Sequence, residues 1–396
     1  MSGSSNHHTN DAHSPIDRRL ASPTSERVLQ CVLGSVLFER FCFFLLISVL
    51  VLYLNERRGY SAPHAVQLYS MFVSGCYLMP LIGGQLCDGR LGSGRTSLLG
   101  MAIQSVGFLL FAVLDSNFTA VSLALIAFGA GLFKAGTQTL VGGLFSSADP
   151  KRDRAFGTVY VVVNVAALVA PILGGIVQTW ECYRVLFALL VVSSVLGCVC
   201  LLPASLSASR PLRPLSTEVG ATNSESSARA KLALVLSAGA VFAAAFVQSH
   251  STLLLFVRDH TDRHVGTVPI PVAWFAAAPG ALVLLAAPVL SVLFTALRNR
   301  NREPSTLHKM AIGMLITALA CLPIAGAVYA ARGGRLVSSL WVLSCMAMLA
   351  VGEILVGALA PSEISRIAPP HRTGRWLSYW FLATAIGNAL GGWVEW

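Results

Sequence analysis

Four charged side chains stand deep inside apolar stretches of this sequence. Glu39 and Arg40 lie in the run Val-Leu-Phe-Glu-Arg-Phe-Cys-Phe-Phe (36–44), Lys134 closes Gly-Leu-Phe-Lys (131–134), and Glu353 follows Gly352. At the centre of a membrane helix an acidic or basic side chain costs about 2.5–3.5 kcal/mol, so such residues usually face a polar path for a solute, ion or proton. Two acids and two bases suit a zwitterion. Neighbouring residues on a helix point about 100° apart, so one of Glu39 and Arg40 is expected to pair with Lys134 while the other serves the ligand. Beside this stands a purely structural reading, in which buried charges only neutralise one another.

The elements that must hold these charges follow from composition. Of 396 residues, 55% are hydrophobic and only 12% charged, which excludes an ordinary soluble domain and predicts an all-α polytopic membrane protein. Crossing a bilayer takes about 20 apolar residues. Such spans fall at 29–53, 65–87, 96–115, 120–145, 156–179, 183–203, 231–257, 271–297, 309–330, 338–361 and 374–394, numbered here as spans 1 to 11. A Ser-, Ala-, Arg- and Pro-rich connection, 204–230, reads as a linker between a six-helix bundle (29–203) and a C-terminal bundle (231–396). Residues 1–28 read as a disordered cytoplasmic tail. In a two-bundle plan spans 4 and 10 correspond, which sets Lys134 and Glu353 on opposite sides of one central cavity. The odd count leaves Trp396 outside and suggests a missing twelfth helix.

Charge distribution gives the orientation. The net charge is +10, but the basic residues lie between spans and form no single stripe, so no nucleic-acid partner is implied. Most of the 28 lysines and arginines fall on the side of the N-terminus, including Arg90, Arg95, Lys151, Arg298, Arg300 and Lys309. By the positive-inside rule that side is cytoplasmic. The nine cysteines show neither metal-ligand nor small-scaffold spacing, and no histidine pair falls at ligand spacing within a span. No cofactor, metal site or enzyme chemistry is expected. Asn117-Phe-Thr119 is a formal glycosylation sequon in a loop too short to favour modification.

Distributed motifs carry a family resemblance over roughly 36–392. They are Glu39-Arg40-Phe41 with Val-Leu-Tyr-Leu (51–54), Gly-Gly-Gln-Leu-Cys-Asp-Gly-Arg-Leu-Gly (83–92) followed by Arg95-Thr96, Gly-Leu-Phe-Lys (131–134), and Phe156, Tyr160, Asn164 with Ala170-Pro171. In the second half they are Pro-Val-Ala-Trp-Phe (271–275), Gly352-Glu353 and the run from Trp380 to Asn388. With these the chain resembles the proton-dependent oligopeptide transporters of the major facilitator superfamily. The resemblance implies alternating access and proton-driven import of di- and tripeptides by a monomer in a lipid bilayer. Glu39, Arg40 and Lys134 would be the proton-coupling group, with Lys134 salt-bridged to Glu39 or to a substrate carboxylate. Glu353 would take the peptide's amino group, and Tyr77, Tyr160, Asn164, Trp274 and Trp380 would line the cavity. Gly84, Asp88, Gly92 and Arg95 would form the loop motif between spans 2 and 3.

The chain departs from the family pattern where Val36 stands for the first motif glutamate. Phe43, Phe44 and Ile47 replace two tyrosines and an arginine, Val247 a glutamate and Pro279 an asparagine. Each charged hydrogen bond not replaced removes about 1.5–3 kcal/mol, so altered substrate binding is expected. Three readings follow: proton-coupled peptide symport, transport of another small solute, or a non-transporting relative acting as a sensor. Tyr160 and Asn164 have a plain alternative as interhelical polar contacts, and the two tryptophans as interfacial anchors.

Overall fold

The structure is a computed structural model, described here for residues 23–89, 91–114, 118–145, 150–180, 183–207, 225–368 and 373–393. Most of the tail 1–28, most of the linker 204–230, Asn117 and Trp396 lie outside the described residues.

Every expected span is helical. Spans 1 to 6 are Pro23–Glu56, Ala62–Leu78 with Pro80–Asp88, Gly92–Val113, Thr119–Gly143, Pro150–Thr179 and Tyr183–Ser207. Ten helical stretches among the described residues are long and apolar enough to cross a membrane. The eleventh expected segment is the helix Thr373–Gly391, made less apolar than the others by Arg375, Tyr379 and Asn388.

Several spans are not single helices. Span 2 restarts at Pro80, which has no N–H to continue the ladder. Span 7 runs from Glu225 to Phe246, tightens into a 3-10 turn at Val247–His250, and resumes at Thr252–His260. Hydroxyls mend that break: Ser249 Oγ donates to the Phe246 carbonyl and Ser251 Oγ to the Val247 carbonyl, since no water is there to do it. Span 8 comprises a turn, Val272–Phe275, and the helix Ala278–Asn299; span 9 comprises Thr306–Leu319 and Cys321–Ala330. Span 10 passes from Leu340–Gly352 through a π-helical stretch, Glu353–Ala358, to Ala360–Ile367. Two-residue strands tie the loops together, Thr261–Asp262 pairing in parallel with Val337–Ser338.

Packing is graded from centre to rim. Span 1 is the most enclosed and span 8 lies almost wholly at the surface, where Leu285, Val289 and Val292 face outward as lipid requires. With apolar surface on both sides, helices gain by close approach at small residues. Gly129 on span 4 lies against the Gly100 carbonyl and the backbone of Gln104 on span 3, and Gly131 lies against Met79 at the break in span 2. These contacts leave no room for a Cβ, and they fix how span 4 presents Lys134 three residues later.

Candidate functional site

Span 1 carries Glu39 into full burial, while Arg40 keeps 16% side-chain exposure. Their Cα–Cβ vectors diverge, yet the arginine stem is long enough to fold back. Arg40 Nε donates to Glu39 Oε2 and Arg40 Nη2 to Glu39 Oε1 at 2.7 Å, a two-pronged charged pair. The expected pairing with Lys134 is therefore corrected: the acid is neutralised by its own neighbour. Arg40 also lies 4.8 Å from the centre of the Phe43 ring, and Gln104 Nε2 on span 3 approaches Glu39 Oε1 at 3.5 Å.

Lys134 is held by aromatic faces. Its Nζ lies 4.2 Å from the centre of the Tyr77 ring on span 2 and 5.2 Å from that of Phe381 on span 11, and both ring quadrupoles favour the cation. Among the described residues it has no carboxylate within 4.0 Å. Arg40 and Glu39 act on it only through their charges. It thus sits at a junction of the first six spans with the last five.

Glu353 comes from the other side. It opens the π-helical stretch of span 10, is half-buried, and has no hydrogen-bond or ion-pair partner among the described residues. Its charge acts on the hydroxyls of both Tyr77 and Tyr160. Tyr77 therefore has Lys134 over its ring and the field of Glu353 on its hydroxyl. The wider turn of a π segment shifts side chains relative to an α-helix and recurs at functional sites; close packing of Gly352 on Thr317 holds it here.

Other expected site residues separate by environment. Tyr160 is half-exposed, whereas Asn164 is buried and donates from Nδ2 to the Tyr160 carbonyl of its own helix at 2.8 Å. Trp274 joins span 8 to span 5, its Nε1 donating to the Ile172 carbonyl at 2.9 Å while its ring lies against Gly175. Trp380 is buried against Gly239 on span 7. Trp380 is thus enclosed, whereas Trp274 keeps 39% exposure. The loop-motif residues lie at the far end of span 2: Asp88 and Arg95 are exposed, and Gly92 takes φ of +71° at the start of span 3. Gly84 has open space around it, and the tight contact, with Ala135 and Leu132 on span 4, belongs to Gly83.

Sequence reasoning passed over three participants. Gln104 is the one side-chain amide within span 3, a signal of the same kind as the charges. Phe381 sits inside the C-terminal motif but shows nothing by type. Arg258 joins span 7 to the end of span 1, Nη1 donating to Asn55 Oδ1 at 2.7 Å and to Glu56 Oε1 at 3.2 Å.

Comparison with known proteins gives the family and the fold. A family model described as the Major Facilitator Superfamily matches residues 32–392. The chain is 26% identical to the peptide transporter YePEPT of Yersinia enterocolitica, over 90% of this chain and 85% of that one. It is 27% identical to dipeptide and tripeptide permease A of Chromobacterium violaceum, over 90% and 82%. In fold it is similar to the crystal structure of a peptide transporter POT in complex with sulfate, with a TM-score of 0.84 at 22% identity over 93% of this chain and 88% of that one.

Proposed function

Because the chain belongs to the Major Facilitator Superfamily and is a multi-pass membrane protein, we propose that it is a secondary active transporter that carries small peptides together with protons. The observation that carries this reading is the pair of uncompensated opposite charges, Lys134 and Glu353, at the junction of the two groups of spans. A charge left unpaired inside a bundle is unfavourable. A peptide offers its carboxylate to Lys134 and its ammonium to Glu353, offsetting both at once. Relatives named as peptide transporters support the substrate class. A solved relative is described in complex with 5-aminolevulinic acid, which keeps other small zwitterions in view.

Alternating access is supported by where the two groups of spans meet. Arg258 with Asn55 and Glu56, and Trp274 with Ile172, lie toward the end carrying the connection between spans 1 and 2, while Ser74 Oγ donates to the Ala385 carbonyl at 2.7 Å near the middle of span 2. With the N-terminus cytoplasmic, that end is the outer one. The arrangement supports a state closed outside, with two bundles rocking about Lys134 and Glu353. Moving one charge through 100 mV supplies about 2.3 kcal/mol, and Glu39 and Glu353 are the carboxylates available to carry the proton.

The test is uptake of a labelled dipeptide into reconstituted vesicles, with and without an inward proton gradient. Gradient-dependent uptake is expected, and competition by unlabelled zwitterions ranks peptides against other solutes. Folded protein that takes up dipeptide equally well without the gradient would sink the coupling. Ligand-induced thermal stabilisation without any flux would favour the sensor reading.

A further inference from the structure

Gln104 is completely buried on span 3. Its Nε2 points at Glu39 Oε1, 3.5 Å away, while its Oε1 is buried without a hydrogen-bond partner. Unpartnered amide oxygens are rare in protein interiors and ask for an explanation. The side chain is not there by default, because Gly129 must give up its Cβ to admit the backbone and Cβ of Gln104.

The unused acceptor stands beside a carboxylate. As an ion, Glu39 only accepts, and it takes two bonds from Arg40 and one from Gln104. Once protonated it must donate one O–H, and the vacant acceptor beside it belongs to Gln104. A half-turn of the amide about its terminal torsion, which is roughly two-fold, exchanges Nε2 for Oε1. One side chain then serves both forms of the acid.

We propose that Gln104 is the positioning residue for the proton on Glu39, donating to the carboxylate when the site is empty of a proton and accepting from the carboxylic acid when it is loaded. The proton comes from solution and forms one O–H bond on Glu39. The charge pair with Arg40 opens, and the guanidinium, already partly exposed, becomes free to meet an anionic group of the ligand. Other titratable groups in the field of Glu39 are Arg40 and Cys42 on its own span, Cys76 on span 2 and Lys134 on span 4. None of the four is an idle oxygen acceptor, and Cys42 Sγ already donates to the Leu190 carbonyl.

This inference rests on the reading of Glu39 as the proton-linked group, and the experiment separates the two. Dipeptide uptake into vesicles is measured against external pH for wild type, Gln104→Met and Gln104→Glu. Methionine keeps the volume and removes both the donor and the acceptor. The N–H contact at 3.5 Å is at the edge of hydrogen-bonding range, whereas the O–H bond of the acid would be a full one. The lost acceptor therefore outweighs the lost donor, and the pH of half-maximal uptake moves to the acid side by about one unit. Glutamate keeps an acceptor and shares a proton with Glu39, so the midpoint moves to the alkaline side. Opposite shifts support the proposal, because a merely structural role would lower uptake in both variants without moving either midpoint. Unshifted midpoints in both variants, beside a pH-dependent wild type, overturn the inference and leave the transport reading standing. A folded wild type without pH dependence removes that reading and the inference together. Thermal unfolding of each variant identifies one that fails to fold, in which case the other decides by the sign of its shift alone.

Discussion

At the scale of single residues, four intramembrane charges do three different jobs. Glu39 and Arg40 neutralise each other, Lys134 rests on ring faces, and Glu353 has no partner among the described residues. The two uncompensated ends predict a split response to blocked peptides. Lys134→Ala weakens binding of a free peptide by roughly tenfold to a hundredfold, the loss of one charged hydrogen bond, but leaves a C-terminally amidated peptide nearly unaffected. Glu353→Gln shows the converse with an N-terminally acetylated peptide. Competition assays read both, and equal losses for free and blocked peptides would contradict the assignment of ends. Outside the spans, Glu303 accepts from Arg298 and from Lys309, each at 2.6 Å, and these bonds hold its carboxyl down at about 2 against an ordinary 4.5. A lowered folded-state value means the contribution is complete above 4.5 and is lost as pH falls toward 2. Glu303→Gln should therefore melt slightly below wild type at neutral pH, the effect being small for an ion pair at the surface, where Arg298 is 69% exposed. The gap should close as pH drops through that window, and a gap independent of pH would show that charge is not its source.

Elements were legible in the sequence as apolar blocks but not as broken ones. The restart at Pro80, the 3-10 turn at Val247–His250 and the π stretch at Glu353–Ala358 are hidden from a reading of apolar blocks, which averages over a whole span. A break is tolerated only where a neighbouring hydroxyl or helix takes up the freed backbone groups, and that depends on tertiary neighbours. Glycine shows the same limit. Gly84 belongs to the motif that drew attention, yet the close contacts are at Gly83, Gly100, Gly129 and Gly131. Gly129→Ala should cost about 1–3 kcal/mol through overpacking and depress uptake by moving Gln104 and Lys134. Gly84→Ala, with nothing near it, should raise the melting temperature slightly, because alanine stiffens a helix interior by about 0.5–1 kcal/mol relative to glycine. Thermal unfolding in detergent compares them, and a similar loss in both would refute the packing argument.

For the whole molecule, the question is how the two groups of spans move. Arg258 reaches from span 7 to Asn55 and Glu56 at the end of span 1, on the side where Trp274 also bridges spans 8 and 5. If this closed end must open in each cycle, locking it stops transport. Glu56→Cys with Arg258→Cys, bridged by a short bifunctional thiol reagent, should abolish uptake, and a reductant that cleaves the bridge should restore it. Uptake that survives efficient crosslinking would show that this contact does not part during transport.

By itself the sequence determined the class, the spans, the four charges within them and the family resemblance. Each of these rests on one-dimensional quantities, namely the length of apolar runs, the cost of charge within them and the order of motifs. Only the tertiary structure decided which charges remain uncompensated. Adjacent positions on a helix diverge, so the pairing of Arg40 with Glu39 rests on a flexible side chain folding back. The release of Lys134 onto Tyr77 and Phe381 rests on spans far apart in sequence meeting at one point. Partnership of charges within a membrane protein is set by three-dimensional distance in a medium that cannot screen them, and spacing along the chain does not encode that distance.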